Sequence, residues 1–282
     1  MFRIMRKEEL NSTVTLMEIE APLVANAAKA GQFIILRVDE EGERIPFTIF
    51  DTNKEKGTVS IIFQIVGGST VELNRLNEGD FVQDFAGPLG KPTEVEGLKS
   101  VAVIGGGVGC AIAYPVAKAL KENGAEVCGI VGFRNRDLVI LEDEFKELCD
   151  DFVLMTDDGS AGEKGLVTNA LESLINSGKK FDCVFAIGPL VMMKFVSLLT
   201  KKYDVKTVVS MNPIMVDGTG MCGGCRLTVG GEMKFACVDG PDFDGHAVDF
   251  DECIRRSIIY KDAERHAYGD DCNLFKGVEN NG

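Results

Sequence analysis

The chain of 282 residues is long enough for two domains and a small appendage, and with 45% hydrophobic residues it can bury sizeable cores. A formal net charge of −14 argues against nucleic acid as a partner, because phosphate backbones are held by clustered Lys and Arg, while it suits docking on a basic protein face. No apolar run is long enough to span a bilayer and the start MFRIMRKEEL has no cleavable apolar segment, so the expectation is a soluble, cytoplasmic protein with no membrane partner.

Residues 1–97 are short β-rich runs broken by turns. Strands are expected over 13–20, 33–38, 46–50, 58–66 and 81–89, where β-branched or aromatic residues recur at strand length. Turn signals stand at 39–42, 53–57 and 78–80, and a short helix is expected near 69–76. About six strands at this spacing predict a small antiparallel barrel. Arg44 leads into Pro46, Phe47 and Thr48, and Gly67, Gly68, Ser69 and Thr70 open the helix. An arginine beside a strand can pair with one phosphate and such a helix start can receive another. Each alone is ordinary turn chemistry; together, beside a nucleotide domain, they suggest a flavin dinucleotide.

From about residue 98 the rhythm becomes strand, helix, strand, helix. Strands over 99–105, 125–133, 151–157, 181–188 and 206–211 alternate with helices over 110–124, 141–150, 165–177 and 189–202, which implies a parallel sheet covered on both faces. Gly105, Gly106, Gly107, Val108 and Gly109 sit where the first strand passes into its helix, a place suited to a pyrophosphate. The G-x-G-x-x-G pattern is incomplete, because Cys110 holds the third glycine position and Arg134 stands where an acidic residue is usual. Gly188, Pro189 and Met192, with Asp157 and Asp158, fall at the same carboxyl edge of the sheet and are candidates to meet ribose or nicotinamide. A solvated turn explains the aspartate pair equally well.

The stretch MNPIMVDGTGMCGGCRLTVGGEMKFACVD, residues 211–239, gathers Cys222, Cys225 and Cys237 in a glycine-rich loop. A C-x2-C pair followed by another cysteine reads as a ligand set for an iron–sulfur cluster, with structural zinc as the competitor. The fourth donor is either Asp217, in the loop, or Cys253, in a helical stretch; Asp217 is favoured by position although thiolate is the softer donor. RLTV and EMKFAC are expected to form a hairpin through Gly230 and Gly231. Residues from about 250 start as a helix and then lose pattern.

Nine cysteines without a signal peptide suggest a reducing compartment rather than disulfides. Cys110, Cys128, Cys149, Cys183 and Cys272 read as buried or ordinary thiols. With only His246 and His266 available, chemistry built on a histidine base has little to draw on.

These motifs together resemble the ferredoxin–NADP reductase superfamily over about residues 1–250. The chain is most similar to the electron-transfer subunit of dihydroorotate dehydrogenase B and to the small subunit of the electron-bifurcating NADH-dependent ferredoxin:NADP oxidoreductase, also called sulfide dehydrogenase. The former looks like a C-x4-C-x2-C protein; Asp217 in the first position resembles the latter. The resemblance implies a β-barrel plus α/β architecture: an FAD-binding barrel over 1–97, an NAD(H)-binding domain over 98–211, a 2Fe–2S module over 212–249, and a C-terminal helix and tail over 250–282. It implies a metal set of Asp217, Cys222, Cys225 and Cys237, and places Phe47, Thr48, Gln64, Ile65 and Val66 near the isoalloxazine, with Arg44, Gly68, Ser69 and Thr70 toward the flavin phosphates. The family arginine falls at Ile45 here, one place after Arg44.

By the same resemblance, electrons pass between NAD(H), FAD and the cluster toward a larger flavin and iron–sulfur subunit in a heterodimer, and indirectly to ferredoxin and NADP. Bifurcation would need that partner to supply a second flavin and further clusters. Arg134 is compatible with a 2′-phosphate, so NADP stays open, as do the dihydroorotate-type partner and a zinc-stabilised nucleotide-binding module without redox chemistry.

Overall fold

The computed structural model describes residues 1–259. The expected end of the tail, with His266 and Cys272, lies outside the described residues. Residues 2–89 form β1 (Phe2–Asn11), β2 (Val14–Glu20), α1 (Pro22–Ala27), β3 (Phe33–Arg37), β4 (Ile45–Thr48), β5 (Asp51–Asn53), β6 (Thr58–Gln64), α2 (Gly68–Arg75), β7 (Phe81–Val82) and β8 (Asp84–Leu89). They build two antiparallel sheets, β5-β6-β2-β1-β7 and β4-β3-β8, arranged like a barrel rather than closed by one continuous ladder.

Strand chemistry accounts for this arrangement. In β2 the apolar Met17 and Ile19 face the core while Glu18 and Glu20 alternate outward, the period-two pattern of a half-buried strand. The run expected as one strand over 81–89 breaks at Gln83, whose N–H donates to the carbonyls of Arg37 and Val38. Its first part pairs with β1 and its second with β3, so one run turns the corner between the sheets. In β3 Phe33, Ile34, Ile35 and Leu36 are all buried, because the strand serves two cores. Ile34 and Leu36 enter the barrel interior with Ile4, Ile61 and Leu73. Phe33 and Ile35 pack on the other side with Met211, Met215, Cys225 and Cys237.

The second half carries β9 (Ser100–Gly106), α3 (Gly109–Glu122), β10 (Glu126–Phe133), α4 (Glu142–Leu148), β11 (Asp151–Thr156), β12 (Glu163–Lys164), α5 (Val167–Asn176), β13 (Cys183–Ile187), α6 (Leu190–Lys202) and β14 (Thr207–Ser210). After these come β15 (Arg226–Val229), β16 (Glu232–Phe235), α7 (Ala236–Asp239), β17 (Asp242–Asp244) and α8 (Phe250–Ser257). The large sheet runs β12-β11-β10-β9-β13-β14-β17, parallel except for the edge strand β17, which pairs antiparallel with β14. From β9 the chain winds one way through β10 and β11 and the other way through β13 and β14. That reversal opens a crevice at the carboxyl ends of β9 and β13.

Strand β17 was not expected, and it returns the chain to the large sheet after the cysteine-rich stretch. The hairpin β15–β16 turns at Gly230 and Gly231 as read, and α8 packs on α6 and β15. Cys110, Cys128 and Cys183 are buried and Cys149 half-buried; burial raises each of these thiols above its ordinary pKa. His246 stands 3.0 Å from Thr200 Oγ1, in a structural network with Thr207. Among the described residues no helix is long and apolar enough to cross a membrane.

Candidate functional site

One cleft of about 1690 Å³ runs between the barrel and the parallel sheet. Ten of the residues singled out in the sequence line it: Gln64 from the barrel, Gly106, Gly107, Val108 and Gly109 after β9, Arg134 after β10, Asp157 after β11, and Gly188, Pro189 and Met192 after β13. The glycines are there because two turns back onto each other. A Cβ on Gly109 would lie 2.5 Å from the Ile187 carbonyl oxygen, and one on Gly106 would overlap the Met192 sulfur. The first turn of α3 carries no acidic side chain to offset its positive dipole end, although the Cys110 and Ala111 N–H groups already donate to the Gly107 and Val108 carbonyls. Cys110 fills the third glycine position because it packs beneath the loop: a Cβ on Gly105 would lie 2.8 Å from Cys110 Sγ.

The remaining nucleotide candidates lie elsewhere. Asp158 accepts from the Ser160 hydroxyl and backbone N–H, which hold its carboxyl below the usual range in an exposed turn. Pro46, Phe47 and Thr48 lie on β4, paired to β3, and Phe47 packs against Phe63 with ring centroids 5.6 Å apart. Ile65 and Val66 follow β6, and Gly68, Ser69 and Thr70 open α2. Thr70 Oγ1 accepts from the Val66 and Gly67 N–H groups, and Ser69 Oγ donates to Glu43 at 2.8 Å. Arg44 Nε donates to the Val216 carbonyl at 2.8 Å. Sequence reasoning missed Asn11, Ser12 and Thr13 of the β1–β2 turn, and Ser210 and Asn212, all of which line the cleft. Asn11 and Ser12 signal only a turn in sequence, and nothing local marks the others.

The cysteine loop gathers the expected donors as two pairs. Cys225 and Cys237, both 1% exposed, bring their sulfurs to 3.2 Å. Asp217 Oδ1 accepts from the Cys222 thiol at 3.4 Å on the exposed side of the loop. Among the described residues no three such side chains converge on one point. A binuclear cluster takes two protein ligands on each iron, so the donor chemistry and this pairing fit a 2Fe–2S group. Burial first, then the neighbouring Cys225 thiol, pushes the Cys237 thiol up to about 12, and a bound cation would reverse this by favouring both thiolates.

Asp217 also organises its own turn. Its carboxylate accepts from the N–H groups of Thr219, Met221 and Cys222, and the Thr219 and Cys222 bonds hold its pKa down at about 2. Gly218 takes φ +75°, and a Cβ there would lie 2.6 Å from Leu89 Cδ1, so the loop lies directly on the barrel. Cys253 is buried on α8 with Glu252, Asp249 and Arg256 as its charged neighbours, and burial raises its thiol to about 11.

An antiparallel barrel, a parallel nucleotide-type sheet and a cysteine-ligand loop define an oxidoreductase subunit of the ferredoxin-reductase type that carries an iron–sulfur module. Residues 212–249 match the iron–sulfur cluster binding domain of dihydroorotate dehydrogenase B. A Thermotoga maritima homologue of the dihydroorotate dehydrogenase B (NAD(+)) electron transfer subunit is 48% identical, covering 94% of this chain and 93% of its own. The electron transfer subunit of that enzyme from Streptococcus pneumoniae is 32% identical, covering 86% and 94%. A solved chain of an NADH-dependent reduced ferredoxin-NADP oxidoreductase, described in the context of flavin-based electron bifurcation, superposes with TM-score 0.90 at 47% identity, covering 94% and 96%.

The chain therefore belongs to the family of dihydroorotate dehydrogenase B electron-transfer subunits and their homologues. It is an oxidoreductase subunit, and the cofactors of this family are FAD, an iron–sulfur cluster and NAD(H). The relatives serve as electron-transfer subunits of larger complexes.

Proposed function

We propose that the chain is the electron-transfer subunit of an NADH-dependent ferredoxin:NADP oxidoreductase, passing electrons between NAD(H), FAD and a 2Fe–2S cluster toward a larger flavin and iron–sulfur subunit that bifurcates them. The observation that carries this reading is β3, whose one face lines the flavin-type barrel and whose other face packs on Cys225 and Cys237. A single strand thus joins the cleft-bearing barrel to the cluster module.

When bound, flavin exchanges electron pairs with nicotinamide and single electrons with the cluster. The chain supplies position and surroundings. Gly106, Gly107, Val108 and Gly109 would receive the nucleotide pyrophosphate, Arg134 and Asp157 the ribose end, and Gly188, Pro189 and Met192 the nicotinamide side, in the cleft that Gln64 also lines. Pro46, Phe47 and Thr48, with Ile65 and Val66, support the isoalloxazine, and Gly68, Ser69 and Thr70 the flavin phosphates. Asp217, Cys222, Cys225 and Cys237 would hold the cluster, the first two from the exposed side of the loop and the last two from its buried side. Residues 1–97, 98–211 and 212–249 act as flavin, NAD(H) and cluster units, and the exposed Cys222 side, beside Met221 at 89% exposure, faces the partner. The cytoplasm is the compartment that suits thiolate ligands and pyridine nucleotides.

The specific test is anaerobic addition of NADH to the purified protein, read by flavin bleaching and by the electron paramagnetic resonance signal of the reduced cluster. Both signals are expected, and their absence from cofactor-loaded protein contradicts the reading. The match of residues 212–249 to the dihydroorotate dehydrogenase B domain favours a second reading, in which the partner oxidises dihydroorotate. Asp217 at the first ligand position counts against it. Reconstitution with each type of partner separates the two, by dihydroorotate-dependent NAD reduction in one case and by NADP reduction that needs both NADH and reduced ferredoxin in the other.

A further inference from the structure

We infer that Arg44 is a positioning residue for the Asp217 side of the cluster, tying that ligand to the flavin barrel instead of anchoring a flavin phosphate. The inference rests on the cluster reading above. Arg44 immediately precedes β4, yet its Nε donates to the carbonyl of Val216, a residue 172 positions later and next to Asp217. On the other side of Asp217, the site of a Cβ on Gly218 lies 2.6 Å from Leu89 Cδ1 on β8 and 3.1 Å from Ile35 Cγ1 on β3. Residues 216 and 218 are therefore both held by the sheet β4-β3-β8, and Asp217 is bracketed between them.

The neighbouring Glu43 turns the other way, accepting from Ser69 at the start of α2. Residues 43 and 44 thus reach from the helix start to the cluster loop. The single Nε–H bond from the Arg44 guanidinium to the Val216 carbonyl ties the loop next to Asp217 to the residue that leads into β4. Groups that orient a metal ligand in this way commonly govern affinity and electronic structure as strongly as the ligand does.

The experiment uses full-length Arg44→Ala and Arg44→Lys proteins, purified anaerobically, with FAD per chain, the electron paramagnetic resonance spectrum and midpoint potential of the reduced cluster, and the rate of iron loss to a chelator as readouts. Arg44→Ala is expected to keep wild-type FAD, to change the g-values and potential, and to lose iron about tenfold faster. Arg44→Lys, which keeps the charge and a donor but lacks the Nε–H at its place along the side chain, should fall between. Loss of FAD with an unaltered cluster spectrum would overturn the inference in favour of a phosphate contact, and unchanged spectrum, potential and iron retention would overturn it outright. Should Arg44→Ala fail to fold, Arg44→Lys alone decides by the same spectrum. Wild-type protein without iron would instead remove the cluster reading on which the inference stands.

Discussion

The sulfurs of Cys225 and Cys237 meet at 3.2 Å in the interior, while Asp217 and Cys222 pair on the exposed side of the same loop. The two halves of the donor set therefore differ in solvent access. In iron-free protein at pH 8, alkylation should reach Cys222 before Cys225 or Cys237, because Cys222 is exposed while the others are buried and Cys237 is pushed up to about 12. Peptide mapping of time-resolved labelling checks this, and equal rates at all three would contradict it.

Asp217→Ala should lose or destabilise the cluster, while Cys253→Ala keeps it. Asp217 both faces Cys222 and caps the turn that presents it, whereas Cys253 sits on α8 among Glu252, Asp249 and Arg256. Iron per chain and the visible spectrum are the readouts. The reverse outcome would move the fourth ligand to Cys253; flavin content should survive both changes.

The two loop glycines should separate by phenotype. Gly109→Ala places its Cβ against the backbone of Ile187 and Gly188, which cannot yield cheaply, so destabilisation of about 1–3 kcal/mol is expected in urea unfolding. Gly106→Ala meets the flexible Met192 side chain, which can swing into the cleft. The fold should hold, and NADH should bind roughly tenfold more weakly, a change of about 1.4 kcal/mol. Equal effects of the two substitutions on NADH binding would contradict this.

What was legible in the sequence follows the strength of local pattern. Met17 and Ile19 alternate with glutamates, and the apolar strands of the parallel sheet end in glycine, so these elements stood out. Strand β1 did not, because Ile4 is its one fully buried residue and the rest is largely charged or polar. Strand β17 spans Asp242–Asp244 and is defined by its pairing with β14, which no local pattern encodes. At the site, the glycine loops and cysteine spacing announced themselves. The Arg44–Val216 bond joins residues 172 apart, and Asn212 reaches the cleft only through the turn of the chain after β14.

Asp242 gives a pH dependence with a definite sign. Burial raises its pKa above 3.8, only partly offset by hydrogen bonds from Thr93 and Ser210. A raised folded-state pKa means that its contribution to stability is complete below the ordinary value and is lost as pH rises through the shifted one. Relative to Asp242→Asn, wild-type protein should therefore lose stability as pH rises from the ordinary carboxylate value of 3.8, as read by urea midpoints at each pH. Wild-type stability that rises with pH relative to Asp242→Asn would contradict the assignment.

The central claim, that this chain houses a flavin and a binuclear cluster, is tested most directly by counting iron, acid-labile sulfide, zinc and flavin per chain in anaerobically purified protein alongside its visible spectrum. The account predicts about two irons, about two sulfides and one FAD. Zinc in place of iron, with no flavin, would contradict it.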